Sequence, residues 1–411
     1  MKIKSVKARQ IINAKGHPTL EVEVATSRHS AYSSVPIAST KSRYEYYDAY
    51  DNDLARFHGE TLDNIVDNVN RVIAPELIGK NSMDQEDLDS ILLNIDNTVE
   101  RTHLGVNTIT ATSQAIAKLG AMESDLPLYK YIRVLHDFSE YSSHKLHSDY
   151  LLPIPVITVY KSSSHERRNA LPAQEVMLYP KTDISYQRDL VKIYEFLNAI
   201  EFDDDKHSLK SFLKDLSKLI GKSKVKFEIG VDMAASKYKR SENDNYVISN
   251  LTQTSTPFNG GFKKLLNTYL SLINDTKVRF LEDFFGEDDY SAWKDLLDEA
   301  VSKDNHVQVV SDDFTATSME RLEKVALLES VNNVVIKPSQ AGTVTEVIHF
   351  ASRARKYGLN ITGSYRHGET EDTFITDLSV GIGAEFLRVG YFKGSEHIAK
   401  LNRLVQIEQS L

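Results

Sequence analysis

The chain of 411 residues contains no cysteine. Disulfides, thiolate nucleophiles and cysteine-ligated zinc or iron–sulfur centres are therefore excluded. No window approaches 18 consecutive apolar residues, so no transmembrane helix is expected. The N-terminus, Met1-Lys2-Ile3-Lys4-Ser5-Val6-Lys7, lacks the apolar core of a secretory signal, which makes a cytoplasmic protein the expectation. No block of Lys or Arg stands out, and 49 basic against 58 acidic residues give a formal charge of −9. Nucleic acid is therefore not expected as a partner. Internal repeats and low-complexity tracts are also missing. What remains is ordinary for a globular chain, with 41% hydrophobic and 26% charged residues and enough length for two or three domains.

Residues 1 to about 35 alternate as strands do. Leu20, Val22 and Val24 interleave with Glu21, Glu23 and Ala25 after a Gly16-His17-Pro18 turn. From Gly59 the period becomes helical, with Leu62, Ile65, Val69, Val72 and Ile73 at three- and four-residue steps. A second helix is expected over about Thr108 to Met122. Strands followed by helices imply a compact α+β domain over 1–135. The charged stretch His136 to His147 reads as a linker, and a second domain is expected over 148–411, opening at Leu151-Leu152-Pro153-Ile154-Pro155.

The second half contains short apolar runs that each end in a chemically capable residue. Phe227-Glu228-Ile229-Gly230-Val231 ends at Asp232, Val278-Arg279-Phe280-Leu281 at Glu282, and Val307-Gln308-Val309-Val310-Ser311 at Asp312. Val334-Val335-Ile336 ends at Lys337. Asn360-Ile361-Thr362-Gly363-Ser364 runs into Tyr365-Arg366, and Glu385-Phe386-Leu387 ends at Arg388. Helical stretches separate most of the runs. Strand, helix, strand, with a polar group at each strand's C-terminal end, is the pattern of a (β/α)8 barrel that builds a site at its mouth.

Asp232, Glu282 and Asp312 would suit Mg²⁺, which prefers oxygen ligands. A single strand-end acid can equally cap the following helix. Lys337, at the next strand end, is the candidate general base, since neighbouring cations can lower a lysine pKa. Ion pairing with the same carboxylates is its structural alternative. Upstream, His165, Gln174 and Glu175 surround a second candidate site. Arg366, followed by His367, offers a planar fork for phosphate or carboxylate, or a surface ion pair.

At this point the motifs resemble the enolase (phosphopyruvate hydratase) family. The similarity runs through Ala8-Arg9-Gln10-Ile11, Gly16-His17-Pro18-Thr19-Leu20-Glu21-Val22, Ile229-Gly230-Val231-Asp232-Met233-Ala234-Ala235-Ser236, Leu281-Glu282-Asp283 and Ser311-Asp312-Asp313. It continues in Ile336-Lys337-Pro338-Ser339-Gln340-Ala341-Gly342-Thr343, Gly368-Glu369-Thr370-Glu371-Asp372-Thr373-Phe374 and Ala399-Lys400-Leu401-Asn402-Arg403-Leu404. The resemblance implies an α/β protein: an enolase-type (β/α)8 barrel with an N-terminal α+β domain. It implies dehydration of 2-phosphoglycerate to phosphoenolpyruvate, two Mg²⁺ ions, and a homodimer or larger homo-oligomer. Carried over by motif, Asp232, Glu282 and Asp312 would hold the first ion and Ser39 the second. Lys337 would be the base and Glu175 an acid-side group. His165, Gln174, Arg366, His367 and Arg388 would line the substrate.

The chain also departs from that pattern. The family's Gly-Asp-Glu-Gly-Gly loop, whose glutamate serves the acid side, has no counterpart in Phe202 to Leu209, which holds Asp203-Asp204-Asp205-Lys206-His207-Ser208. Ser364-Tyr365-Arg366-His367 stands for Ser-His-Arg-Ser, and Arg388-Val389-Gly390 for Lys-Thr-Gly. The Ser-Gly-Ala-Ser-Thr-Gly loop is Ile37-Ala38-Ser39-Thr40-Lys41-Ser42, without its glycines, and Lys161-Ser162-Ser163 stands for Asn-Gly-Gly. The first metal's ligands, the base and the phosphate arginine are kept, while the acid side and the lid are altered. Weak or altered turnover, or a binding protein on the same fold, is the expectation that follows.

Overall fold

The computed structural model describes the chain except residues 39–40, 140–148, 163–170, 182–183, 201–207, 243, 253, 255 and 305. Three antiparallel strands open it: β1 (Ser5–Ile12), β2 (Pro18–Ala25) and β3 (Ser30–Ser34). Alternation decides their faces. Leu20, Val22 and Val24 point inward and are buried, onto the helix Val106–Glu123. The helical stretch after Gly59 buries Leu62, Ile65, Val69 and Ile73 but leaves Val72 exposed. A wide π turn over Val69–Ile73 separates the α-helical segments Asp63–Asn68 and Ala74–Leu77. That turn changes the phase on which the simple period placed Val72.

Helix Leu128–Phe138 runs across residue 135, and His136 is buried within it. The barrel strands are β4 (Ile154–Lys161), β5 (Glu175–Pro180), β6 (Phe227–Asp232), β9 (Val278–Glu282), β10 (Gln308–Ser311), β11 (Asn333–Ile336), β12 (Asn360–Ser364) and β13 (Phe386–Tyr391). They close in chain order into an eight-stranded barrel. A small hairpin, β7 (Tyr246–Ile248) with β8 (Phe258–Gly260), lies outside it. One strand departs from the simple strand–helix alternation: β5 is antiparallel to both β4 and β6. No described helix separates β4 from β5, and two helices, Tyr186–Asn198 and Leu209–Ile220, follow β5. Reversal brings the first residue of β5, Glu175, to the mouth where the other strands bring their last, and Glu175 pairs with Asp232.

The barrel interior is filled below the mouth by Val156, Met177, Tyr179, Phe280, Val310, Val335 and Phe386. Tyr179, Phe280 and Phe386 meet edge to face, with ring centroids 5.6 Å to 6.1 Å apart. Each such side chain contributes roughly 1.5–3 kcal/mol by burial. This apolar plug leaves the polar chemistry to the mouth. A larger core fills the layer between strands and helices, including Trp293 stacked on Phe314 at 4.8 Å.

The N-terminal part docks beside that mouth through buried polar contacts. Asp89 accepts from Thr345 N at 3.0 Å, Thr345 Oγ1 at 2.6 Å and Ser113 Oγ at 2.6 Å. Asp372 takes the Lys118 ammonium at 2.6 Å, and Ile37 N donates to Gly368 O at 3.1 Å. No helix among the described residues is long and apolar enough to cross a membrane.

Candidate active site and metal centre

A cavity of about 390 Å³ opens at the barrel mouth. Its walls include Gln174, Asp312, Asp313, Lys337, Arg366, His367 and Arg388 from the barrel and Glu45 from the N-terminal part. Ser39 and His165 fall outside the described residues, as do Asp203, Asp204 and Asp205.

Asp232 and Glu282 are the last residues of adjacent strands β6 and β9 and sit side by side in register. Among the described residues two carboxylate groups could hold a cation: Asp232, Glu282 and Asp283 form one, and Asp283, Asp312 and Asp313 the other. In each, one oxygen per residue lies within 4.8 Å of the others. Asp283 therefore links the acids expected from sequence. It follows Glu282 directly, with φ of +48°, and this left-handed step lets it accept from Asp312 N at 3.2 Å and Asp313 N at 2.9 Å. The adjacent pairs Glu282-Asp283 and Asp312-Asp313 were the available signal, of which sequence reasoning used only the first members.

These acids are buried, Asp313 only in part, and withdrawal from water dominates their electrostatics. It pushes Glu282 and Asp283 well above the usual carboxylate range, Asp232 up to about 6 and Asp313 up to about 8. The neighbouring carboxylates reinforce the effect, while Arg388 opposes it at Asp232 and Glu282. Among the described residues, Glu282 Oε2 and Asp312 Oδ1 are buried and hydrogen-bonded to nothing. Hard oxygen donors that repel one another and keep buried atoms unsatisfied fit a divalent cation such as Mg²⁺.

Lys337 follows β11 and donates to Asp312 Oδ2. Burial is the largest influence and lowers its pKa, but the Asp312 charge and hydrogen bond together leave it raised. The lowered value expected of a base beside cations is therefore not the state of this ion-paired form. Asp312 shows the complementary result: burial would raise it, yet Lys337 and Arg388 hold it below its ordinary value.

On the opposite side Glu175 is saturated with donors. Arg388 Nη2 lies 2.7 Å from Oε2, and Thr158 Oγ1 donates to Oε2 at 2.7 Å. His367 Nε2 is 3.1 Å from Oε1, Lys161 Nζ is 3.5 Å from it, and Tyr365 OH donates to the same oxygen. Burial favours the neutral acid, but Arg388 and the other donors keep Glu175 well below the usual carboxylate range. Arg388 also donates through Nη1 to Glu282, so one guanidinium spans both halves of the site. Its neighbour Tyr365 is pushed well above the ordinary phenol range, by burial first and Glu175 second.

Arg366 follows β12. Its Nη2 lies 2.6 Å from Glu45 Oε2, a partner sequence reasoning missed because it comes from 321 residues away. Lys237 also lines the cavity, with burial lowering its pKa to about 8. It was not anticipated, since it lies in the short turn Ala235–Tyr238 rather than at a strand end.

Two family profiles match the chain: "Enolase, N-terminal domain" over residues 3–132 and "Enolase, C-terminal TIM barrel domain" over residues 195–411. The chain belongs to the enolase family. It is 31% identical over 431 residues to "Enolase" of Pelagibacter ubique (strain HTCC1062), covering 100% of this chain and 97% of the relative. "Enolase B" of Dictyostelium discoideum is 31% identical over 437 residues, with 100% and 95% covered. "Enolase 1" of Entamoeba histolytica is 31% identical over 435 residues, with 100% and 97% covered. The resemblance first seen in the strand-end motifs thus extends over both enolase-family parts, including the α/β barrel.

Proposed function

We propose that the protein is an enolase-type lyase that dehydrates 2-phosphoglycerate to phosphoenolpyruvate, the glycolytic step, or acts on a closely related phosphorylated carboxylate. One observation carries this proposal: Lys337, Asp312 and Asp313 of the acidic cluster, and the Arg366 fork line a single cavity sized for a small ligand. Lys337 removes the proton from the carbon beside the ligand's carboxylate. Arg366 grips the phosphate, while Gln174, His367 and Arg388 line the remainder; a substrate-binding role for His165 rests on the family resemblance alone.

Asp232, Glu282 and Asp312 would hold Mg²⁺, with Asp283 beside them and Ser39 serving a second ion. The bound ion would supply positive charge to the oxygens of the developing enolate. Sharing Asp312 with that ion would weaken the pairing that keeps Lys337 protonated; burial and the nearby Arg366 and Arg388 already act to lower the pKa of the amine.

Glu175 supports a slow elimination step, because five donors hold it as a fixed anion rather than a proton donor. The same observation supports a second reading, a catalytically impaired enolase relative acting as a binding protein. By family resemblance we also propose domains over 1–135 and 148–411, a homodimer or larger assembly, and a cytoplasmic setting.

The test is the ultraviolet absorbance of phosphoenolpyruvate formed from 2-phosphoglycerate, with and without Mg²⁺. The expected result is Mg²⁺-dependent turnover that falls by about 10²–10⁴ in Lys337→Ala. No turnover of any phosphorylated or 2-hydroxy carboxylate, and no effect of Lys337→Ala, would leave the binding protein.

A further inference from the structure

Glu45 belongs to the segment 41–50, which reaches from the N-terminal part into the barrel mouth. Its side chain is only 3% exposed. One carboxylate oxygen takes Arg366 Nη2 at 2.6 Å. The other accepts from Gln340 Nε2 at 3.1 Å and from Ser42 N at 3.2 Å. The carboxylate is held there by anchors away from Arg366. Ser42 Oγ donates to Glu287 Oε2 at 2.7 Å and to Asp313 O at 3.1 Å. Arg43 Nε is 3.0 Å from Glu287, and Tyr44 OH donates to Asp288 at 2.6 Å. The Arg321 guanidinium lies 3.8 Å from the centre of the Tyr44 ring.

A guanidinium recognises carboxylate and phosphate through the same planar fork. Glu45 therefore gives Arg366 a resident anion of the kind its ligand would carry. We propose that Glu45 is a specificity-determining residue that competes with a ligand's phosphate for Arg366. This rests on the reading of Arg366 as the phosphate grip and deepens it. A lone phosphate gains little by displacing a buried, pre-positioned carboxylate. A ligand that also presents a carboxylate to the acidic cluster and its cation gains a second contact, and so overcomes the competition. The pairing thereby selects phosphorylated carboxylates over simple phosphates.

The test is calorimetric titration of the full-length protein with inorganic phosphate, comparing the native chain, Glu45→Gln and Arg366→Met. The expected result is about tenfold tighter phosphate binding in Glu45→Gln, equivalent to about 1.4 kcal/mol, and its loss in Arg366→Met. Unchanged or weaker binding in folded Glu45→Gln, with loss in Arg366→Met, overturns this proposal and leaves the role of Arg366 standing. Phosphate binding that survives in Arg366→Met overturns both, as does absence of binding in both the native chain and Glu45→Gln. Should Glu45→Gln not fold, the exposed anchors decide by the same criterion. Arg43→Ala combined with Tyr44→Phe loosens the segment while leaving Glu45 and Arg366 in place, and it too should tighten phosphate binding.

Discussion

Arg388 Nη2 lies 2.7 Å from Glu175 Oε2 while Nη1 of the same guanidinium reaches Glu282. One side chain thus compensates a carboxylate on each side of the site, with Asp232 a further 3.7 Å contact. Arg388→Met should strip Glu282 of its guanidinium partner, take one of five donors from Glu175, and cost about 3–5 kcal/mol. Arg388→Lys keeps the charge but has no fork to span both acids, so it should recover only part of the loss. Urea denaturation of the native chain and both variants measures this directly.

Asp283 should matter to cation binding as much as the acids that end the strands, because it belongs to both carboxylate groups. Added Mg²⁺ should stabilise the native protein, by about 2.7 kcal/mol at a hundred times its dissociation constant. Asp283→Asn should weaken most of that gain while raising the stability of the cation-free form, since burial and the neighbouring carboxylates disfavour a charged group there. Thermal unfolding with Mg²⁺ and with a chelator checks both signs.

His397 sets a pH response separate from the chemistry. Burial, with Lys400 and Lys161 nearby, lowers its pKa from 6.5 to about 4. The folded state therefore keeps a neutral imidazole where the unfolded chain takes up a proton. Its contribution is intact above pH 6.5 and is lost as pH falls toward 4, by about 3 kcal/mol in total. Replacing His397 with Gln should flatten stability over that window. Urea midpoints at successive pH values read the effect.

The sequence pattern revealed the strand ends well, because buried apolar runs in the barrel stop where the polar mouth begins. Asp232 and Glu282 occupy their places for that reason. The direction of β5 was not legible: Glu175–Pro180 is buried along its whole length, and a wholly buried strand carries no mark of its polarity. Asp283 escaped notice because its role depends on a left-handed backbone step rather than on a period. Glu45 escaped because its partner is remote in sequence, and only the docking of the N-terminal part brings the two together. The family motifs identified Arg366 and Lys337 but not their protonation or pairing, which depend on the charges that folding brings around them.

Lys337 should remain a working base although the acid side is altered. The most direct measurement is deuterium exchange at the carbon beside the carboxylate of 2-phosphoglycerate, followed by NMR in heavy water with Mg²⁺. The expected result is exchange by the native protein that outpaces phosphoenolpyruvate formation and is abolished in Lys337→Ala. No exchange by the native protein, or equal exchange by Lys337→Ala, would contradict it.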